Sequence, residues 1–126
     1  MENSALSIAA ELKDLLRNLS NHSPVLGSAI FSDDGRPLVS HFHAGTDEAI
    51  IAAIVASIYG TGEQAVQQLR QGELKSVIVQ GTMGTTLVIS VISGYLLAVT
   101  APDNAKLGLI FNDAKKLARE AARILR

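Results

Sequence analysis

No cysteine occurs anywhere in the chain, so disulfides, thiolate metal sites and cysteine nucleophiles are excluded. Tryptophan is missing too, and aromatic residues make up only 4%, yet 48% of the residues are hydrophobic and the mean hydropathy is +0.27. For a single small domain that apolarity favours an extra buried surface, as oligomerisation provides. Charge is scarce and balanced, 18% of residues with a net of −1, which gives no electrostatic footprint for nucleic acid. The N-terminus lacks a basic region followed by an apolar run, so no secretory signal is visible and a cytoplasmic location is the expectation. The uncharged apolar run from Ala49 to Tyr59 falls short of the ~20 residues that cross a bilayer, and a glutamate and glutamines follow in the same helix, so no membrane insertion is expected. Internal repeats and low-complexity linkers are absent, and 126 residues make one domain with a core of its own.

What is present centres on Thr46 to Gln71. Thr46 can cap a helix, and Asp47 and Glu48 suit its positive end. Winding the stretch at helical pitch puts Ile50, Ile51, Ile54, Val55, Ile58, Tyr59, Val66 and Leu69 on a bulky face. The opposite face is small: Ala49, Ala52, Ala53, Ala56 and Gly60, with Glu63 and Gln67 beyond. The bulky face calls for a sheet of the same chain. The small face carries nothing long enough to hold another helix away, so a partner is expected there, the alternative being a solvated alanine face. Gly72 suits the C-terminal cap.

The remaining elements follow in order. Ser4 to Leu19 reads as a helix, capped by Ser4, with an apolar stripe from Ala5 to Leu19; it gives out in Ser20 to Pro24. Val25 to Ser32 and Arg36 to His43 read as strands joined by an Asp-Gly turn; Pro37 lacks an N–H, so the second strand lies at a sheet edge or begins just after it. Leu74 to Gln80, Thr85 to Ile92 and Tyr95 to Ala101 read as three more strands, whose apolar runs suit cover on both faces. A turn at Pro102-Asp103-Asn104 leads to a last helix with its stripe from Leu107 to Leu125. The order α-β-β-α-β-β-β-α predicts an α+β domain in three layers, a five-stranded mostly antiparallel sheet with helices on both faces.

No catalytic constellation stands out. His41 and His43 share one face of a strand, but a metal needs a third ligand and none is local. Gly81-Thr82-Met83-Gly84 lacks the lysine and the following helix of a phosphate loop and reads as a hairpin connection. Asp33 and Asp34 are adjacent turn residues, and Ser28, Ser40 and Ser57 have no base signature nearby. Arg36, Arg70 and Lys75 offer charge to an acidic partner, although exposed basic residues mostly serve solvation. No cofactor and no metal is expected.

The ordered set resembles the Roadblock/dynein-light-chain family, whose folds are longin-like and profilin-like. The resemblance is carried by the hairpin VLGSAIFSDDGRPLVS, the alanine-rich helix TDEAIIAAIVASIYGTGEQAVQQL, the strand GELKSVIVQG, the meander LVISVISGYLLAVTAPD and the helix LGLIFNDAKKLAREAARIL. It implies dimers whose long central helices pack side by side and whose third strands pair edge to edge. Carried over, the seam is Ala49, Ala52, Ala53, Ala56 and Gly60, with Ser76, Val77, Ile78, Val79 and Gln80 as the paired strand. It also implies partners: small Ras-like GTPases in prokaryotes, where the MglB type acts as a GTPase-activating protein, and motor or signalling scaffolds in eukaryotes. The chain reads as a minimal MglB-like version without the C-terminal extension of some relatives. The expected function is a non-catalytic homodimeric platform for a GTPase, contacted through Ser57, Thr61, Glu63, Gln64 and Gln67, where the small face turns polar. The alternative is a scaffold subunit with no effect on nucleotide turnover. A sensor-like domain with a core ligand is disfavoured by the few polar residues available to orient one.

Overall fold

The structure is a computed structural model and describes residues 4–42 and 45–126, with side chains from residue 7 onward. The cap expected at Ser4, the Ala5 end of the first stripe, and His43 and Ala44 lie outside what is described. The elements are α1 (Ser4–His22), β1 (Gly27–Ser32), β2 (Pro37–His41), α2 (Glu48–Gln68), β3 (Ser76–Gly81), β4 (Gly84–Ile92), β5 (Tyr95–Pro102) and α3 (Leu107–Leu125), in the order read from the sequence.

One five-stranded sheet runs β2-β1-β5-β4-β3, with every pair antiparallel. Side chains alternate across a strand, so each strand feeds two layers. Ile30, Leu87, Ile89, Leu97 and Val99 face α1 and α3, meeting Leu12, Leu16, Ile110, Leu117 and Ala121. Their neighbours Ala29, Phe31, Val88, Leu96 and Ala98 point the other way, toward Ala52, Val55 and Tyr59 of α2. That double burial explains the unbroken apolar runs in β4 and β5.

Several boundaries move for local reasons. α1 runs on to His22, and the Ser23 N–H still donates to the Leu19 carbonyl at 2.9 Å before Pro24 stops the winding. β1 begins at Gly27, because the Val25 N–H is spent on the Ser23 carbonyl in a turn. The N-cap of α2 is Asp47 rather than Thr46: its backbone is extended and its carboxylate accepts the Ile50 N–H at 3.2 Å.

The C-terminus of α2 also departs from expectation. Leu69 is the cap, the Arg70 N–H donates to the Gln67 carbonyl at 3.1 Å, and the Gln71 N–H donates to the Val66 carbonyl at 2.8 Å. That pair of bonds is a Schellman motif, and it forces the residue after the cap into the left-handed region. Arg70 occupies it, with φ 55, instead of the expected glycine; Gly72 turns the chain two residues later with φ 86.

Candidate interaction site on the central helix and the β3 edge

α2 is the most apolar helix of the chain and the worst covered. By length and composition it is apolar enough to cross a bilayer, yet of its residues only Ala52, Val55 and Tyr59 are buried. A span is a poor physical reading. Ala52, Val55 and Tyr59 are committed to the sheet, and Glu48, Glu63, Gln64, Gln67 and Gln68 sit on the same helix.

The division of its faces differs from the one expected. Bulk does not decide burial: Ala52 is fully buried against the chain's own sheet, whereas Ile50 and Ile54 are 57% and 52% exposed. The small residues have a job inside the monomer. A Cβ placed on Gly35, in the turn between β1 and β2, would lie 3.5 Å from the Ala53 Cα and 3.7 Å from the Ala56 Cβ. The small side of α2 thus admits the hairpin turn, where Gly35 has φ +90. Ala52 therefore leaves the expected seam, and Ala56 is half-buried beside the turn. Ala49 and Ala53 remain exposed. A Cβ on Gly60 would meet nothing within 4 Å, so this glycine marks no close approach in the monomer. Gly62 does: a Cβ there would meet Leu74 Cδ2 at 2.9 Å and Val77 Cγ2 at 3.1 Å. β3 therefore lies under the Gly62 flank of α2. At about 3.6 residues per turn, Ile54, Ile58 and Ala65 fall on that same flank, with Ile50 and Thr61 next to it.

β3 ends the sheet, and among the described residues nothing pairs with its outer edge. It runs six residues with no proline and no charge, and Ile78 and Val79 are 46% and 43% exposed. The Ser90 N–H reaches the Lys75 carbonyl, and the register pairs Ser76 with Ile89 and Ile78 with Leu87. Antiparallel alternation then turns the N–H and C=O groups of Ser76, Ile78 and Gln80 to the free side. Val77 and Val79 share the α2 face of the sheet; Ser76, Ile78 and Gln80 share the other. The free edge and the exposed isoleucines of α2 thus adjoin one another.

Toward its C-terminus α2 turns polar. Ser57, Thr61, Glu63, Gln64 and Gln67 are all exposed. The Thr61 hydroxyl donates to the Ser57 carbonyl at 2.9 Å. Tyr59 ties this helix to the approach of β3, its hydroxyl donating to the Leu74 carbonyl at 3.0 Å. Burial raises its phenol above the ordinary 10.0, more than the nearby Ser90 hydroxyl lowers it.

The residues weighed for chemistry form no hydrogen-bonded catalytic set among the described residues. Among the described residues no three His, Asp or Glu gather to hold a metal ion. Gly81 and Gly84 pair across the connection from β3 to β4, with Met83 87% exposed at its tip. Asp34 is held below the usual carboxylate range by the Ser32 hydroxyl and then by Arg36, whose Nε lies 3.4 Å away, so it orders its own turn. Ser28 is fully buried with its hydroxyl unpaired; His41 lies opposite it in the register of β1 and β2, but no hydrogen bond joins the two.

The family comparison gives a place to this helix-covered sheet, with its β3 edge unpaired among the described residues and its central helix apolar and partly exposed. The family model of the Roadblock/LC7 domain matches residues 11–101. The chain belongs to the Roadblock/LC7 family. Its layering is that of the longin- and profilin-like folds. An uncharacterised protein of Methanocaldococcus jannaschii, MJ1340, is 24% identical over 106 residues, spanning 84% of this chain and 92% of its own. Among solved structures, MglB of Myxococcus xanthus superposes with a TM-score of 0.86 at 16% identity, over 91% of this chain and 94% of its own. The Roadblock/LC7 domain from Streptomyces avermitilis does so at 0.84 and 22%, over 90% and 96%. At those identities the structural likeness speaks for the Roadblock/LC7 fold alone.

Proposed function

We propose that this Roadblock/LC7 chain pairs with a second copy of itself along β3 and the Ile50/Ile54 side of α2. The outer surface of the two central helices then binds a small Ras-like GTPase in the cytoplasm. The observation that carries this is the adjacency just described: an unpaired strand edge beside half-exposed isoleucines on the same flank of the sheet. Covering the exposed half of each isoleucine stabilises by roughly 1 kcal/mol. The β3 backbone groups add a ladder that a solvated edge lacks.

Binding of a GTPase is supported by family membership and by the polar half of α2. A mixed surface of Ser57, Thr61, Gln64 and Gln67 beside apolar side chains suits a regulated contact rather than a permanent core. Because the helix pair is two-fold symmetric and a GTPase is not, a site on the axis takes one GTPase per dimer. Any stimulation of hydrolysis acts by positioning the GTPase's own residues, since the outer polar half of α2 presents no arginine to the transition state.

Calorimetry against the cognate GTPase tests this. Binding is expected to be tighter with GTP than with GDP, at one GTPase per dimer. Equal affinity for both states would remove the switch-reading role, because a partner that does not discriminate states cannot report them. It would leave the scaffold reading in its place.

A further inference from the structure

α3 lies over β4 and β5 and leaves the same face of β3 uncovered, so a groove of about 690 Å³ runs between α3 and the start of β3. It is on the opposite side of the sheet from α2. Its floor is apolar, with Ile89, Val91 and Ala118, and Phe111 stands at one end. Its rims are basic. Lys115, Arg119, Arg123 and Arg126 line the α3 wall and Lys75 the β3 wall, against a single acidic residue, Glu73.

The charges of α3 are sorted by side. Asp113 and Glu120 line the flank toward α1, where Lys116 also lies, while the other cations face the groove. Among the described residues no carboxylate comes within ion-pair distance of the five groove cations. Lys115 rests its ammonium 4.7 Å above the Phe111 ring. The helix dipole accounts for cations in the last turn of α3, but not for Lys115, Arg119 or Lys75, which lie outside it.

We infer that this groove docks an acidic amphipathic helix of a partner protein. The cations of α3 recur every three or four residues, so their stems stand about 5–6 Å apart in one row. A helix lying alongside α3, with Asp or Glu at the same spacing and leucines on the adjoining stripe, meets that row with opposite charge and fills the apolar floor. A lipid surface meets it poorly, because the apolar floor is recessed between two walls. Docking here does not depend on pairing through β3, which uses the strand's free edge and the opposite face.

The test uses the full chain and a synthetic fluorescent peptide of about 18 residues, ~27 Å long as a helix, with glutamates at four-residue spacing beside a leucine stripe. Fluorescence anisotropy is expected to give a Kd of about 10 μM that weakens steeply with salt. The double variant Arg119→Glu, Arg123→Glu should lose at least about tenfold, and Lys75→Glu on the other wall about threefold to tenfold. The double variant should in turn bind the same peptide with lysines in place of its glutamates, a gain that misfolding cannot imitate. Sedimentation of each variant reports pairing separately. Equal binding of acidic and basic peptides would overturn the inference, as would binding unaffected by the substitutions. Absence of peptide binding with retention on phosphatidylserine vesicles would overturn it in favour of a membrane surface.

Discussion

β2 and β3 both end the sheet, and they treat their open backbone groups in opposite ways. β2 is five residues long, opens on Pro37, pairs with β1 through a register shift at Ile30/Phe31, and has its Ser40 carbonyl occupied by the Lys13 ammonium from α1. Proline, irregular pairing and a covering lysine are the usual ways a protein keeps an edge from templating another strand. β3 has none of them and shows Ile78 and Val79 instead. The faces differ in the same sense: under α1 and α3 the sheet buries a large aliphatic cluster, while under α2 the cluster is thinner and two isoleucines stay outside. Protection at one edge and exposure at the other mark where a second chain belongs.

The largest effect should come from Ile54→Arg. The side chain is 52% exposed in the monomer, so folding should survive with a stability change within about 0.5–1 kcal/mol. In a paired helix seam the unpaired guanidinium costs about 3–5 kcal/mol, which by light scattering should leave a monomer. Ile78→Pro should rank next. It removes one donor on the free side of β3 and spares the ladder to β4, weakening pairing by about 1–2 kcal/mol. The same kind of assault on the other edge, Leu38→Lys, should leave the oligomeric state unchanged, since Leu38 sits in the protected strand.

Two glycines separate the two candidate seams. Gly62→Ala should cost about 1 kcal/mol in thermal or urea unfolding, overpacking against Leu74 and Val77 outweighing the gain in helix propensity. Gly60→Ala should stabilise by about 0.5–1 kcal/mol without loosening the dimer. Weakened pairing in Gly60→Ala would move the seam back to the small-residue side. Tyr59→Phe should cost about 1 kcal/mol at neutral pH for the lost bond to the Leu74 carbonyl. Because burial raises the phenol in the fold, its contribution is full below pH 10 and is lost as the pH climbs through the folded value. The phenylalanine variant should flatten that alkaline slope in pH-dependent melting.

The helix stripes of α1 and α3 were legible in the sequence because polar residues interrupt them at helical spacing. The succession of strands along the chain followed from turn residues and apolar runs, whereas their order in the sheet did not. α2 resisted for a physical reason: a helix apolar nearly all round carries no period that says which side faces in. Ala52 is buried and Ile54 is not because the β1–β2 turn and Gly62 fix how the helix sits on the sheet, and those approaches are tertiary. The left-handed position of Arg70 leaves no signature in the sequence for a similar reason, since nothing in a local pattern puts an arginine there rather than nearby Gly72. The basic groove joins Lys75 to a row on α3, elements far apart in the chain that only the sheet brings together.

The most direct test is sedimentation equilibrium of the unaltered chain at about 50 μM, a concentration well above the Kd of a stable dimer. If the β3 edge and the Ile50/Ile54 flank are covered by a second copy, the mass is twice the 13.3 kDa of one chain. A single species at 13.3 kDa under those conditions would contradict the account.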